Sequence, residues 1–141
     1  MSRRREGRAS TTRAGIEARA HGRCEYCHAP QQLCGSRFHL EHIVPVTHGG
    51  SDGAANRALA CASCNLAKAA ALAGLDSATG KHAALFNPRT QVWVEHFRWA
   101  EDRETLAGRT PVGRATIAAL DMNSDVRKRA RRLWFDIGWL P

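Results

Sequence analysis

The stretch from residue 38 to residue 68 reads FHLEHIVPVTHGGSDGAANRALACASCNLAK, and it holds the residues that decide the fold of this 141-residue chain. An acidic residue stands directly before a histidine, Glu41 and His42. A Gly-Gly turn follows, and a Cys-x-x-Cys pair comes near the end. Short apolar runs separated by a glycine-rich turn are typical of a small β-hairpin, so the core of the chain is predicted to be a hairpin.

The hydrophobic pattern of this stretch assigns its elements. Residues 38–46 predict a strand that Pro45 interrupts, and residues 56–60 predict a second, shorter strand. Strict alternation would put Glu41 and His42 on opposite faces, so a local twist or bulge is needed if they share a site. From Ala62 onward the pattern turns helical, and it continues through the following small residues: Ala67, Ala70, Ala71 and Gly74.

Four of the five cysteines form two Cys-x-x-Cys pairs, separated by 33 residues: Cys24 with Cys27, and Cys61 with Cys64. The sequence shows no signal peptide and no run of transmembrane length, so we expect an intracellular, cytoplasmic protein without a membrane partner. Thiols stay reduced there, and paired cysteines are then metal ligands rather than disulfides. Four thiolates predict a closed, tetrahedral, structural Zn²⁺ site. The alternative is four unrelated small core residues.

The balance of charges favours a polyanionic partner. The formal net charge is +8 and the isoelectric point is near 10.1. A basic surface binds nucleic acid by neutralising phosphates and releasing counterions. The alternative is a soluble basic protein without that role.

The flanking segments predict a tail, a helix and a small C-terminal region. Residues 1–9 are basic and polar and predict a disordered tail. A helix is expected from Ser10 or Thr11 to about His21, ended by Gly22. The remaining expected elements are a linker over 76–82, a strand over 91–99, a returning strand over 105–109, a helix over 111–121 and a basic helix from Asn123 or Ser124 to about 137.

Taken together, these motifs resemble the HNH endonuclease family. The resemblance rests on Glu41-His42 followed by Ile-Val-Pro, the Gly-Gly turn, Asn56, and the second cysteine pair followed by Asn65 and Lys68. It covers roughly residues 23–70 and is similar to the branch with a zinc-binding Cys-x-x-Cys pair on each side of the core. It implies an α+β fold, in which a ββα-metal finger is held by a four-cysteine zinc site.

The resemblance also implies a domain organisation. The nuclease core with its zinc-binding pairs is expected over residues 10–75, with an N-terminal helix. A small α+β extension with a basic last helix is expected over residues 76–141.

The resemblance implies a role for each residue of the motif. His42 is the general base, because histidine is the side chain whose protonation changes between about pH 5 and 8. Glu41 and Asn65 are the protein ligands of one catalytic Mg²⁺ or Mn²⁺ ion, since such cations take oxygen donors. Asn56 is expected to hold the hairpin and orient His42. The family often has Asp in place of Glu41 and His in place of Asn65, which leaves the preferred metal open.

Further basic residues and histidines are candidate nucleic-acid contacts. For each, the alternative is an ordinary polar or solvated side chain. The candidates are His39, Lys68, Arg127, Lys128 and Arg131.

The function that follows is metal-dependent hydrolysis of DNA phosphodiester bonds in a bacterial or phage-related setting, with RNA as a substrate not excluded. The alternative is a zinc-stapled nucleic-acid-binding module without catalysis. A thiol redox protein would need a thioredoxin-like βαβ pattern, which the sequence lacks. No separate recognition domain is evident, so either sequence preference is low or a protein partner supplies specificity. Oligomeric state is not readable from the sequence.

Overall fold

The computed structural model describes residues 12–139, so the tail expected over residues 1–9 lies outside the described part of the chain. Two compact units divide between Asn65 and Leu66, while the expected domain boundary near residue 75 stays a prediction. The helices are α1 (Arg13–Arg19), α2 (Gln31–Cys34), α3 (Ala62–Lys68), α4 (Trp93–His96), α5 (Pro111–Ala119) and α6 (Asp125–Asp136). The strands are β1 (His39–His42), β2 (Arg57–Ala60), β3 (Ala73–Leu75), β4 (His82–Ala84), β5 (Phe97–Trp99) and β6 (Leu106–Gly108).

The α+β class predicted from the sequence is confirmed, and the first unit is built on the predicted hairpin. Strands β1 and β2 pair antiparallel, with His39 opposite Ala60 and His42 opposite Arg57. Both strands are shorter than predicted, because a 3₁₀ turn follows Pro45 and a second one ends at Asn56. The hairpin and the start of α3 therefore form the expected ββα arrangement.

The N-terminal helix α1 packs on this hairpin. Its cap is Thr12, whose Oγ1 accepts from the Gly15 amide at 3.0 Å, so the expected start at Ser10 or Thr11 is one to two residues early. Ile16 is fully buried. Arg19 donates to the carbonyls of Ala54 (2.9 Å) and Arg57 (2.7 Å), which fixes the start of β2 from the helix side.

The first cysteine pair docks on the other side of β2. The Glu25 amide donates to the Leu59 carbonyl at 2.8 Å, and the Leu59 amide donates to Glu25 Oε2, also at 2.8 Å. Glu25 thus satisfies both polar backbone groups of a buried strand residue, as a neighbouring strand would. This pairing carries the first cysteine loop onto the hairpin.

The predicted continuation of α3 beyond Lys68 is wrong. Ala69 adopts a positive φ of 46°, which ends the helix, and Ala73–Leu75 forms β3 paired with β4. Small residues at helical spacing are equally compatible with a close-packed strand. A Cβ on Gly74 would lie 2.7 Å from the Ala115 carbonyl oxygen, so the strand passes close to the backbone of α5. The expected linker over 76–82 is the turn of this second hairpin.

The strand predicted over residues 91–99 is also only partly correct. Residues 93–96 form the short helix α4, and the strand β5 begins at Phe97. Aromatic packing accounts for the helix, because Trp93 stacks on Phe97 with ring centroids 5.0 Å apart and Phe86 meets Phe97 edge-on at 5.2 Å. Local Val, Trp and Phe content favours a strand, but these tertiary contacts decide the backbone.

The remaining predictions for the second unit are confirmed. Strand β6 returns along β5, and α5 begins with Pro111 in its first turn after the Thr110 cap. Ser124 caps α6, its Oγ accepting from the Arg127 amide at 3.3 Å. Within residues 12–139 no helix has the length and apolar character that crossing a membrane requires.

A buried ion pair ties the β3–β4 turn to α5. Asp76 is fully buried and accepts from Arg114 Nε at 2.7 Å and from Arg114 Nη2 at 3.0 Å. The hydroxyl of Thr79 and the amide of Ala78 complete its coordination at 2.9 and 3.0 Å. The Arg114 guanidinium, and then these further donors, hold the pKa of Asp76 well below its ordinary range.

The substitution Asp76→Asn is expected to lower the melting temperature by several degrees at neutral pH, since it breaks a buried, hydrogen-bonded pair. The carboxyl pKa is lower in the folded chain than in the unfolded chain, where it is about 3.9. The ionised carboxylate therefore contributes its full stabilisation of the fold above the unfolded-state pKa. This contribution is lost as pH falls through the pKa of the folded chain. Calorimetry should show that the wild type melts at a higher temperature than Asp76→Asn. The difference should be constant from about pH 5 to 8 and should shrink below about pH 4. Asp136→Asn, which changes an exposed aspartate, is the control. A melting-temperature difference between wild type and Asp76→Asn that stays the same in acid would contradict a stabilising role for the ionised Asp76 carboxylate.

Candidate functional site

The four cysteines of the two Cys-x-x-Cys pairs converge into one buried cluster. The Sγ atoms of Cys24, Cys27, Cys61 and Cys64 all lie within 4.8 Å of one another. Cys27 Sγ and Cys61 Sγ are 3.7 Å apart, which is far beyond the length of a disulfide bond. The two pairs are 33 residues apart in sequence, and they meet because the Cys24–Cys27 loop packs on β2 through Glu25.

This cluster fits a tetrahedral metal ion. Zinc–sulfur bonds of about 2.3 Å place tetrahedral sulfur atoms about 3.8 Å apart, which matches the observed separation of Cys27 and Cys61. Burial raises the pKa of the Cys24 thiol, because a buried thiolate loses its hydration. A bound cation would stabilise several thiolates in such a buried cluster. The geometry and the donor set suggest a structural zinc site. Cys34 lies outside the cluster.

Glu41 lies in β1 and is buried, with 7% of its surface exposed. Its neighbour is Tyr26, a fully buried residue between the cysteines of the first pair. Burial raises the pKa of Tyr26 well above its usual value, and the charge and hydrogen bonding of the Glu41 carboxylate raise it further. Tyr26 therefore keeps its proton at neutral pH, and it lies close enough to Glu41 to feel the charge of the acidic residue of the motif.

His42 is the last residue of β1 and is partly exposed to solvent. Its Nε2 atom lies 2.6 Å from Oδ1 of Asp52 in the loop between β1 and β2. The hydrogen bond and charge of His42 lower the pKa of Asp52. Arg57, directly opposite His42 in the hairpin, places Nη2 at 3.5 Å from the same carboxylate oxygen.

Asn56 closes the loop that carries Asp52. Its Oδ1 accepts from the Val44 amide at 2.8 Å, and its Nδ2 donates to the carbonyls of Val44 (2.9 Å) and Ser51 (2.8 Å). These bonds span the loop and fit the expected role of holding the hairpin together. The expected orienting of His42 by Asn56 stays a prediction, and the side chain that contacts His42 Nε2 is Asp52.

The second glycine of the Gly-Gly turn is required by a close backbone approach. A Cβ on Gly50 would lie 1.7 Å from the Val44 carbonyl oxygen and 2.8 Å from Asn56 Nδ2. The first glycine, Gly49, has a φ of +85°. The turn thus allows Asn56 to reach both backbone groups of Val44, which explains why the motif carries two glycines.

The substitution Gly50→Ala is expected to destabilise the first unit by about 1–3 kcal/mol, because the Val44 backbone must move and the Asn56 bonds weaken. Gly53→Ala in the same loop is the matched control. Its Cβ would meet the Ser51 hydroxyl at an ordinary 3.5 Å, and its φ of −70° suits any residue. We expect Gly53→Ala to be neutral or stabilising by about 0.4–1 kcal/mol. Denaturant unfolding compares the two, and equal losses would argue against the close approach at Gly50.

The other residues of the predicted site occupy varied environments. Asn65 lies in α3 and is half-buried, while His39 is exposed on the same strand face as Glu41. Lys68 is only 2% exposed, so the alternative of an ordinary exposed helix lysine is wrong. Ligation by Glu41 and Asn65 and phosphate contacts by His39 and Lys68 stay predictions.

The basic residues of α6 divide between the fold and the surface. Arg131 is 3% exposed and donates to the carbonyls of Glu104 (2.7 Å) and Met122, and its guanidinium lies 5.6 Å from the Trp99 ring centre. Arg131 therefore stabilises the fold through these contacts, and its predicted nucleic-acid contact stays a prediction. Arg127 is half-buried and donates to the Leu120 carbonyl at 2.7 Å. The predicted contact remains for Arg127 and the half-buried Lys128.

Sequence reasoning missed two residues of this site, Asp52 and Tyr26. Asp52 was part of the glycine-rich turn, where an aspartate is commonplace. Tyr26 was part of the first cysteine loop. A carboxylate in the loop that follows the motif histidine, and the chain's only tyrosine placed between metal-binding cysteines, were the available signals.

Comparison with known proteins finds a family model that matches part of the chain. Residues 24–70, a third of the chain, match the family model described as HNH endonuclease. The matched segment includes all four clustered cysteines and the motif residues of the hairpin. Neither a curated protein nor a solved structure matched the chain.

Proposed function

We propose, from the match of residues 24–70 to the HNH endonuclease family model, that the protein is a divalent-metal-dependent endonuclease that hydrolyses DNA phosphodiester bonds. The observation that carries the proposal is His42 at the solvent-accessible end of β1, paired with an ionised carboxylate at 2.6 Å. A histidine so placed is suited to general-base chemistry.

In the proposed mechanism His42 takes a proton from the attacking water. Asn56 maintains the loop over the hairpin through its bonds to Val44 and Ser51, which keeps the site preorganised. The resulting hydroxide attacks phosphorus as the bond to the 3′ oxygen breaks, which leaves a 5′-phosphate and a 3′ oxygen that takes a proton from solvent. His42 then returns its proton to solvent.

Glu41 and Asn65 would hold the catalytic ion. They offer a carboxylate and an amide oxygen, which are the donor types that Mg²⁺ and Mn²⁺ accept. The burial of Glu41 supports this role, because a carboxylate removed from water is stabilised by a nearby cation. When bound, the ion would supply Lewis-acid stabilisation of charge on the phosphate and the departing oxygen.

DNA is the proposed substrate on the grounds of charge. A net charge of +8 supports binding to a phosphate backbone, and neutralised phosphates release counterions. Backbone binding of this kind carries little sequence information. We therefore propose cleavage with low sequence preference, unless a protein partner directs it.

The test is nicking of supercoiled plasmid by the purified full-length chain, with zinc retained and Mg²⁺ or Mn²⁺ added or omitted. We expect nicking only with the added divalent ion. Salt-sensitive DNA binding without cleavage under any of these conditions would overturn the proposal and favour the non-catalytic binding module. A single-stranded RNA of similar length, assayed in parallel, separates DNA from RNA as the substrate.

A further inference from the structure

We infer that Asp52 is a positioning residue that sets which nitrogen of His42 accepts the proton. Asp52 Oδ1 lies 2.6 Å from His42 Nε2, although the two residues are ten positions apart in the chain. A carboxylate only accepts hydrogen bonds, so this contact places the ring proton of neutral His42 on Nε2. Nδ1 then carries the lone pair. This inference rests on the proposed function, in which His42 is the general base.

The loop that presents Asp52 is fixed on both sides. The preceding residue, Ser51, has its carbonyl bound by Asn56 Nδ2 at 2.8 Å. Arg57 approaches the Asp52 carboxylate at 3.5 Å and also donates to the Leu40 carbonyl of β1 at 3.1 Å. These contacts place the carboxylate although Asp52 itself is 81% exposed. The carboxylate therefore faces the imidazole from a loop whose backbone is hydrogen-bonded by Asn56.

The proton balance of the step is simple. An O–H bond of water breaks, an N–H bond forms at Nδ1 of His42, and Nε2 keeps its proton. The ring becomes a cation, and the Asp52 carboxylate stabilises this charge without taking a proton. The same division of roles holds between histidine and aspartate in hydrolytic triads. Asn56 acts on the loop, whereas Asp52 acts on the ring.

An ordinary surface ion pair is the competing explanation for this contact. Exposed pairs contribute little to stability, so Asp52→Ala should leave the melting temperature close to that of the wild type. Any large effect on turnover would then come from the orientation of His42. With the melting temperature unchanged, a reduced kcat would favour positioning of His42, and an unchanged kcat would favour an ordinary surface ion pair.

The kinetic test compares Asp52→Ala and Asp52→Glu with Asp136→Ala, which removes one negative charge at the exposed end of α6. We expect the kcat for plasmid nicking by Asp52→Ala to fall about 10- to 100-fold, as a displaced catalytic group would cause. KM should stay unchanged or decrease, because a negative charge is removed near the bound phosphate. Asp52→Glu should recover a large part of the loss. A kcat for Asp52→Ala equal to that of Asp136→Ala would overturn the inference.

A second readout does not depend on activity. Nitrogen-15 spectra at mildly alkaline pH report the two ring nitrogens of His42, assigned by their disappearance in His42→Ala. We expect well-separated resonances in the wild type and converging ones in Asp52→Ala, whose ring exchanges between tautomers. Unchanged resonances would overturn the inference. Absence of nicking by the wild type would instead overturn the proposed function, and the spectra would still decide whether Asp52 sets the tautomer.

Discussion

Replacing His42 with alanine is expected to reduce the rate of plasmid nicking by about 10²- to 10⁴-fold, the usual contribution of a positioned general base. Water must then attack without losing its proton to the protein. The side chain is partly exposed at the end of β1, and the register of the hairpin rests on backbone pairing with Arg57. The fold should therefore tolerate the change. Single-turnover nicking rates at saturating protein measure the effect on the chemical step.

His48→Ala is the matched control for this experiment. His48 is an exposed histidine six residues later, in the 3₁₀ turn after Pro45, and its substitution should leave nicking unchanged. DNA affinity measured across a range of salt concentrations should be similar for both variants, because phosphate neutralisation does not depend on the base. A His42→Ala enzyme that nicks as fast as His48→Ala would remove His42 from the mechanism. An equal loss in both variants would point to a general effect of losing a histidine near the DNA.

The parts of the site that were predictable from the sequence are those that short-range patterns encode. The cysteine spacing predicts a convergent cluster because two thiols separated by two residues can face one ion. The Gly-Gly turn predicts a tight loop, and the close approach of Gly50 to Val44 gives the physical reason. The hairpin itself follows from two short apolar runs around that turn. Each of these features depends on residues near one another in the chain.

Contacts through space were not predictable in the same way. The approach of Asp52 to His42 depends on how the loop folds back, which residue types in a polar turn do not determine. The position of Tyr26 beside Glu41 depends on the docking of the cysteine loop on β2 by Glu25. Such pairings require the tertiary structure.

Burial of charged side chains is the other feature that the sequence alone does not reveal. Arg131 belongs to a run of basic residues in an amphipathic helix, and sequence alone favours a solvated face for such a run. Its guanidinium instead caps carbonyl groups of Glu104 and Met122 and packs against Trp99. An arginine can satisfy several buried carbonyls at once because it has five donors. Neighbouring arginines of one helix can therefore differ, since Arg131 is buried in the fold and Arg132 is exposed to solvent.

Removing one ligand of the cysteine cluster is expected to have the largest effect on stability. Cys61→Ser should abolish stoichiometric zinc binding and lower the melting temperature of the first unit by more than about 10 °C. Structural zinc sites contribute free energy of the same order as the whole stability of a small domain, about 5–15 kcal/mol. Zinc content by mass spectrometry and unfolding by circular dichroism measure the two effects.

Cys34→Ser provides the matched control. It makes the same chemical change outside the cluster, at a partly exposed position near the end of α2. We expect it to keep the wild-type zinc content and melting temperature. Equal zinc content in Cys34→Ser and Cys61→Ser would show that the cluster is not a zinc site. A strong chelator applied to the wild type should reproduce the Cys61→Ser result and be reversed by added Zn²⁺ but not by Mg²⁺.

The position of the cluster predicts that zinc loss also ends cleavage, even with Mg²⁺ in excess. The first cysteine loop carries Glu25, which pairs with Leu59 of β2, and Tyr26, which neighbours Glu41 of β1. Releasing that loop leaves the buried Glu41 carboxylate without the surroundings that stabilise it, and the strand that ends in His42 loses its support. Nicking should therefore fall in proportion to zinc content across a chelator titration. Full nicking by zinc-free protein would mean that the hairpin holds the active site without the cluster.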